Sequence, residues 1–116
     1  MVASKELTDD VRLAHVMADD ADSISMSRFK AQDLMIKTKP DSTPVTEADT
    51  AVEESIRRTL SRTRPRDAVH GEEMQDTGES NRRWIIDPID GTANYLRGVP
   101  VWATLIALEI DGQIAA

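Results

Sequence analysis

The stretch from Trp84 to Leu96, WIIDPIDGTANYL, constrains this chain more than any other. Trp84, Ile85 and Ile86 form a short apolar, β-prone run that reads as a buried strand. Asp87 stands at its end. Pro88 has no N–H to give to a central ladder, so the chain is expected to turn there. Asp90 follows just ahead of Gly91 and Thr92, where a short helix reaching Tyr95 can begin. A strand that ends on one carboxylate, turns, and presents a second at a helix N-terminus sets two anionic groups beside free backbone N–H donors. Carboxylates on a rigid turn suit a hard cation such as Mg2+, which takes oxygen ligands and shares its shell with phosphate. The N–H groups after Asp90 suit the phosphate itself. Taken alone, however, a D-x-x-D is more often a turn residue followed by a helix cap.

Composition narrows the company such a motif can keep. At 116 residues the chain holds at most one domain, long enough for a core. A net charge of −7 argues against nucleic acid or an anionic membrane as partner. An acidic chain suits an anionic substrate only where bound cations reverse the local field, which again favours a metal. Without cysteine there are no disulfides and no thiolate zinc sites. The N-terminal MVASKELTDD lacks the apolar core of a signal peptide, and no segment is long enough to span a bilayer, so cytoplasm is the default compartment.

Along the chain, Leu7, Val11, Ala14, Ala18 and Ala21, widened by Leu13, Met17 and Ile24, predict an amphipathic helix to about Phe29 or Ala31. Thr8, Asp9 and Asp10 suit its acidic first turn, and a lone His15 beside the stripe reads as structural. Leu34–Lys37 reads as a short strand, followed by a mobile polar loop over residues 39–44. Thr46 is a good N-cap for a second helix whose apolar face is Ala48, Val52, Ile56 and Leu60 and which Pro65 stops. Arg57, Arg58 and Arg62 are expected to form a solvated face favoured by the helix dipole. Asp67–His70 reads as a strand feeding Gly71, Glu72 and Glu73. Met74–Asn81 reads as a surface loop that orders when metal binds. Trp102–Ile110 reads as a buried strand, and Asp111-Gly112 as a hairpin turn into a returning strand. The chain stops a few residues into that strand, leaving edge groups unpaired. The expectation is the N-terminal half of something larger.

In this order and spacing, VTEAD (Val45–Asp49), GEE (Gly71–Glu73) and DPIDGT (Asp87–Thr92) resemble the inositol monophosphatase-like family of Mg2+-dependent phosphatases, from about Leu7 to the last residue. The resemblance implies an α+β chain. It would be the N-terminal part of a layered αβαβα sugar-phosphatase-type fold, truncated, with two long helices packed on a mainly antiparallel sheet. Residues 1–116 would be its metal- and phosphate-binding portion. A further Asp ligand and much of the substrate wall would lie in the absent C-terminal portion.

The resemblance also implies roles. Two or three Mg2+ ions would be held by Glu72, Asp87, the carbonyl of Ile89, and Asp90. Of these, Glu72 and Asp87 would hold the activating ion, and Asp87 and Asp90 would share ions across the site. Asp49 and Thr92 would orient and deprotonate the attacking water, with Glu72 beside them in the catalytic group. Asp90, Gly91 and Thr92 would meet the phosphate, the last two through backbone N–H groups. Glu73 would support a water on the metal, and Lys39 is either a phosphate neutraliser or, the plainer reading, a solvated lysine. The tail DPIDGTANYLRGVPVWATLIAL is similar to the histidinol-phosphate phosphatase subgroup, departing from it at Ala93, where Lys is common, and at Tyr95, usually Phe. A small phosphorylated metabolite is the implied partner, with a homodimer when full length. The alternatives are an inositol-1-phosphate phosphatase and an inactive metal-binding fragment.

Overall fold

Two helices and a four-stranded sheet each bury one face against the other. The computed structural model describes residues 4–116, so the first three residues of the N-terminal stretch read above for targeting lie outside it. The order is α1 (Ser4–Arg28), β1 (Ile36–Thr38), β2 (Pro44–Thr46), α2 (Glu47–Thr63), β3 (Ala68–Gly71), β4 (Arg82–Asp90), α3 (Thr92–Leu96), β5 (Ala103–Ile110) and β6 (Gln113–Ile114). The main sheet runs β3-β4-β5-β6, with β3 and β4 parallel and the remaining pairs antiparallel. This is the α+β, mainly antiparallel arrangement expected. No helix among the described residues is long and apolar enough to cross a membrane.

The main core gathers Met17 and Ala21 of α1, Val52, Ile56 and Leu60 of α2, and Val69, Trp84, Ile86 and Leu108 from the sheet. Steps of four put Val52, Ile56 and Leu60 on one face of α2, as the periodicity requires. The expected face of α1 is rotated. Val11 is 38% exposed, whereas Asp10 is fully buried. Asp10 Oδ1 accepts from Arg64 Nε (3.1 Å) and Arg82 Nη2 (3.0 Å), and these charge-assisted bonds turn the helix toward the sheet. The helix also starts earlier than its apolar stripe, with Glu6 the acid of its first turn.

Three further expectations are corrected. Pro88 does not turn the chain: β4 runs through it to Asp90. Pairing with β5 passes from Asp87↔Leu105 to Asp90↔Ala103, so one extra residue bulges out of β4, and β3 pairing ends at Gly71↔Ile86. At such a bulge the missing N–H costs no ladder bond. Strand β5 is not buried on both faces; Leu105 is 49% exposed and only the Leu108 side is covered. The loop after β1 is part of a hairpin, β1 pairing with a second strand, β2, that proline and polar composition concealed. Its turn is fastened by Lys39 N–H to Thr43 O (2.8 Å) and by Asp41 accepting from the Thr43 N–H (3.1 Å).

A smaller cluster fixes the end of the sheet where the acidic motifs meet. Ala48, Ile89 and Tyr95 are buried together, with Phe29, Leu34 and Trp102 packed against them. Tyr95 and Trp102 meet edge to face at 5.1 Å, and the Tyr95 hydroxyl donates to Ser25 O at 2.8 Å. The hydroxyl that separates this chain from the Phe pattern thus ties α3 to α1.

Candidate active site

The sheet's register assembles the acidic residues. Glu72 N–H donates to Ile86 O at 3.2 Å, one step beyond the last β3–β4 pair, so Glu72 and Asp87 leave adjacent parallel strands side by side. Beyond the bulge, Asp90 ends β4 and Gly91 caps α3 with φ 94°. That positive φ suits glycine, and the Val101 carbonyl oxygen lies 3.1 Å from where a Cβ would sit. The RGVPVWA segment, on which the subgroup resemblance rests, therefore backs the Gly91 turn. Val101 and Trp102 press against Gly91, and none of the segment's residues lines the cleft.

That cleft, of about 370 Å³, is lined by Lys39, Glu72, Glu73, Asp87, Ile89, Asp90, Gly91 and Thr92 among others. Asp49, 2% exposed, lies behind it on α2. Its Oδ1 accepts from the Thr46 N–H (2.8 Å), and its own N–H donates to Thr46 Oγ1 (3.3 Å), completing the capping box. Its Oδ2 takes the Thr92 hydroxyl at 2.8 Å. The same hydroxyl lies 3.0 Å from Ile89 O, so its single proton serves one acceptor at a time. VTEAD and DPIDGT, distant in sequence, are joined by this bond.

Lys39 is not a solvated surface lysine; its Nζ is 2.7 Å from Glu73 Oε1, which raises its pKa. Burial holds the Glu73 carboxyl above the usual range, against the opposing effect of Lys39, and Glu73 Oε2 is buried without a partner. Arg57 is not solvated either. It donates to Glu53 Oε2 (3.0 Å), Thr77 Oγ1 (3.3 Å) and Met74 O (3.4 Å). With Thr77 and Val69 exchanging backbone bonds, the protein itself fastens the loop expected to await metal. Sequence reading missed Glu53 and misjudged Arg57. The available signal was their spacing: Asp49, Glu53 and Arg57 follow at steps of four on one face of α2.

Among the described residues no group of three or more Asp, Glu or His side chains stands ready as a metal cage. Uncompensated carboxylates repel and favour rotamers that point apart. The donor set nevertheless fits a hard cation. It is all oxygen and faces one cleft, and beside it Glu73 keeps a buried oxygen without a partner. The charge surplus shows at Asp87, whose carboxyl is pushed up to about 6 by burial and then by Glu72 and Asp90.

Residues 6–116 match the inositol monophosphatase family. The chain belongs to that family, whose members are metal-dependent. It is 70% identical over 100 residues to the histidinol-phosphatase of Streptomyces coelicolor, covering 86% of this chain and 38% of that protein. It is 59% identical over 105 residues to the histidinol-phosphatase of Mycobacterium tuberculosis, covering 90% and 40%. The crystal structure of the extragenic suppressor protein suhB from Bartonella henselae superposes with a TM-score of 0.88 at 33% identity, over 92% of this chain and 43% of that one. The chain thus spans about two-fifths of the length of these relatives.

The raised Asp87 pKa has a consequence for stability. A free carboxyl titrates near 3.9. A carboxyl raised on folding favours the fold fully below that value, and the contribution is lost as pH rises through about 6. Asp87→Asn is therefore expected to raise the Tm by a few degrees at pH 8 in chelator, with the gain shrinking to nothing below pH 4. Thermal melts at both pH values check it.

Proposed function

We propose that the full-length protein is a Mg2+-dependent phosphomonoesterase acting on L-histidinol phosphate. The observation that supports this best is the 2.8 Å Asp49–Thr92 bond at the back of a cleft lined by Glu72, Asp87 and Asp90. Glu72, Asp87, Asp90 and the Ile89 carbonyl would hold the ions, two or three in number. What Mg2+ supplies when bound is positive charge, which screens the phosphate and lowers the pKa of water. Gly91 and Thr92, at the start of α3 where no side chain caps the helix, turn backbone N–H groups to phosphate oxygens.

With its proton directed to Asp49 Oδ2, the Thr92 oxygen presents lone pairs and accepts a hydrogen bond from the attacking water. As that water adds to phosphorus, its proton passes to Thr92 Oγ1 and the Thr92 proton passes to Asp49. The alcohol oxygen leaves from the opposite side with the electron pair of the broken P–O bond and takes a proton from solvent, and Asp49 returns its own proton through Thr92 before the next turnover. Lys39, at the cleft edge, exchanges Glu73 for the phosphate when substrate enters. The reading extends to the cytoplasm as compartment and to a homodimer.

Removing either half of the water-activating pair is expected to cost about 100-fold or more in kcat. Thr92→Ala and Asp49→Asn should each do this with Mg2+ affinity nearly intact, and the double variant should be little worse than either. Steady-state kinetics and calorimetry on the full-length protein test it, and multiplying losses contradict a shared role.

The substrate rests on the similarity to proteins named histidinol-phosphatase and on the RGVPVWATLIAL segment. Since Val101 and Trp102 back Gly91 and RGVPVWA does not line the cleft, discrimination falls to groups that meet the leaving alcohol, its amine and its imidazole. A side-by-side kcat/KM comparison at saturating Mg2+ is expected to favour L-histidinol phosphate over inositol 1-phosphate. A clear preference for inositol 1-phosphate would transfer the protein to that activity.

A further inference from the structure

Glu53 is fully buried on α2, one turn beyond Asp49, and has no part in the proposed chemistry. A buried carboxylate is costly unless each oxygen has a partner. Here both do: Oε1 accepts the backbone N–H of Glu73 at 2.9 Å, and Oε2 accepts Arg57 Nε at 3.0 Å. The approach is so close that a Cβ on Gly71 would fall on the carboxylate itself. Gly71 has no positive φ to explain it, and what the glycine supplies is room for the Glu53 carboxylate against the turn. Arg57, held by Glu53, reaches Met74 O and Thr77 Oγ1 on the far side of the same turn. The turn that presents Glu72 and Glu73 is thus gripped at its beginning and its end from one face of α2.

We infer that Glu53 is a positioning residue for the metal site, setting the place of Glu72 and Glu73 through the Glu73 amide while Asp49 sets Thr92 from the preceding turn of the same helix. Helix α2 acts as a ruler: residues 49, 53 and 57 fasten DPIDGT, GEE and the loop behind it at fixed separations. The selectivity is geometric. Gln at 53 retains an acceptor for the Glu73 N–H, Ala retains none, and Ala at 71 pushes the carboxylate off the amide while leaving the Glu53–Arg57 pair its charges.

This inference rests on the metal-site reading above, and two readouts on the full-length protein separate them. Hydrogen exchange at the Glu73 amide, followed by NMR in chelator, reports the grip without metal. Calorimetric Mg2+ titration reports its effect on the ligands. Glu53→Ala and Gly71→Ala are expected to lose Glu73 amide protection and to bind Mg2+ about 10- to 100-fold more weakly, the range typical of groups that orient ligands. Glu53→Gln is expected to recover most of both. Unchanged Mg2+ affinity in both Ala variants, whatever their Tm, would overturn the inference by making Glu53 merely structural. Wild-type protein that binds no Mg2+ would overturn the metal reading, and this inference with it, even where the exchange data uphold the Glu73 bond.

Discussion

Like charges held close together are unfavourable, and the backbone holds half-buried Asp87 beside exposed Glu72 and Asp90. The parallel β3–β4 register puts Glu72 beside Asp87, and the bulge at Pro88 returns the chain so that Asp90 faces the same cleft. None of these positions can relax far without breaking the sheet. Burial, and then Glu72 and Asp90, push the Asp87 carboxyl up, and clustered oxygen donors of this kind suit a small divalent cation.

The two ends of β4 contrast in this respect. At its start, Arg82 pairs with Asp10 and Asp67, Arg64 joins Asp10, and the Trp84 indole donates to Asp67. Charge there is balanced by protein groups, and the network clamps α1, α2 and the sheet together. At its end, the carboxylates have Lys39 as the only cation lining the cleft among the described residues. A fold that compensates one end and leaves the other anionic has separated its structural work from its chemical work. Helix α2 connects the two, with its apolar face in the core and Asp49, Glu53 and Arg57 directed at the loops.

The motifs made the chemistry legible because each is short, local and rich in the atoms that do the work. Residues of DPIDGT and GEE line one cleft, and Asp49 of VTEAD lies behind it, bonded to Thr92. Periodicity gave α2 its face correctly because nothing buried on it conflicts with the apolar pattern except Asp49 and Glu53, which are paired. It failed on α1 because ion pairs to Asp10 outweigh one turn of apolar spacing, a tertiary effect with no local sign. Pro88 misled because a bulge tolerates what a regular ladder forbids. Arg57 misled because a helical arginine near a C-terminus has a sufficient local explanation, and only the return of residues 74–77 reveals its partners. The substrate was the least legible, since a wall that recognises an alcohol is built from side chains scattered through a fold of which this chain spans about two-fifths.

On the reading proposed above, Glu72, Asp87, Asp90 and the Ile89 carbonyl hold divalent cations together in one cleft. Crystals of the full-length protein grown with Mn2+, which is redistributed into hard oxygen sites as Mg2+ is, allow anomalous scattering to locate the ion directly. The expected result is anomalous density in the cleft, bounded by Glu72, Asp87, Asp90 and the Ile89 carbonyl, and its loss in Asp87→Asn. Density absent from that cleft at saturating Mn2+, or unchanged in the Asn variant, would contradict the claim.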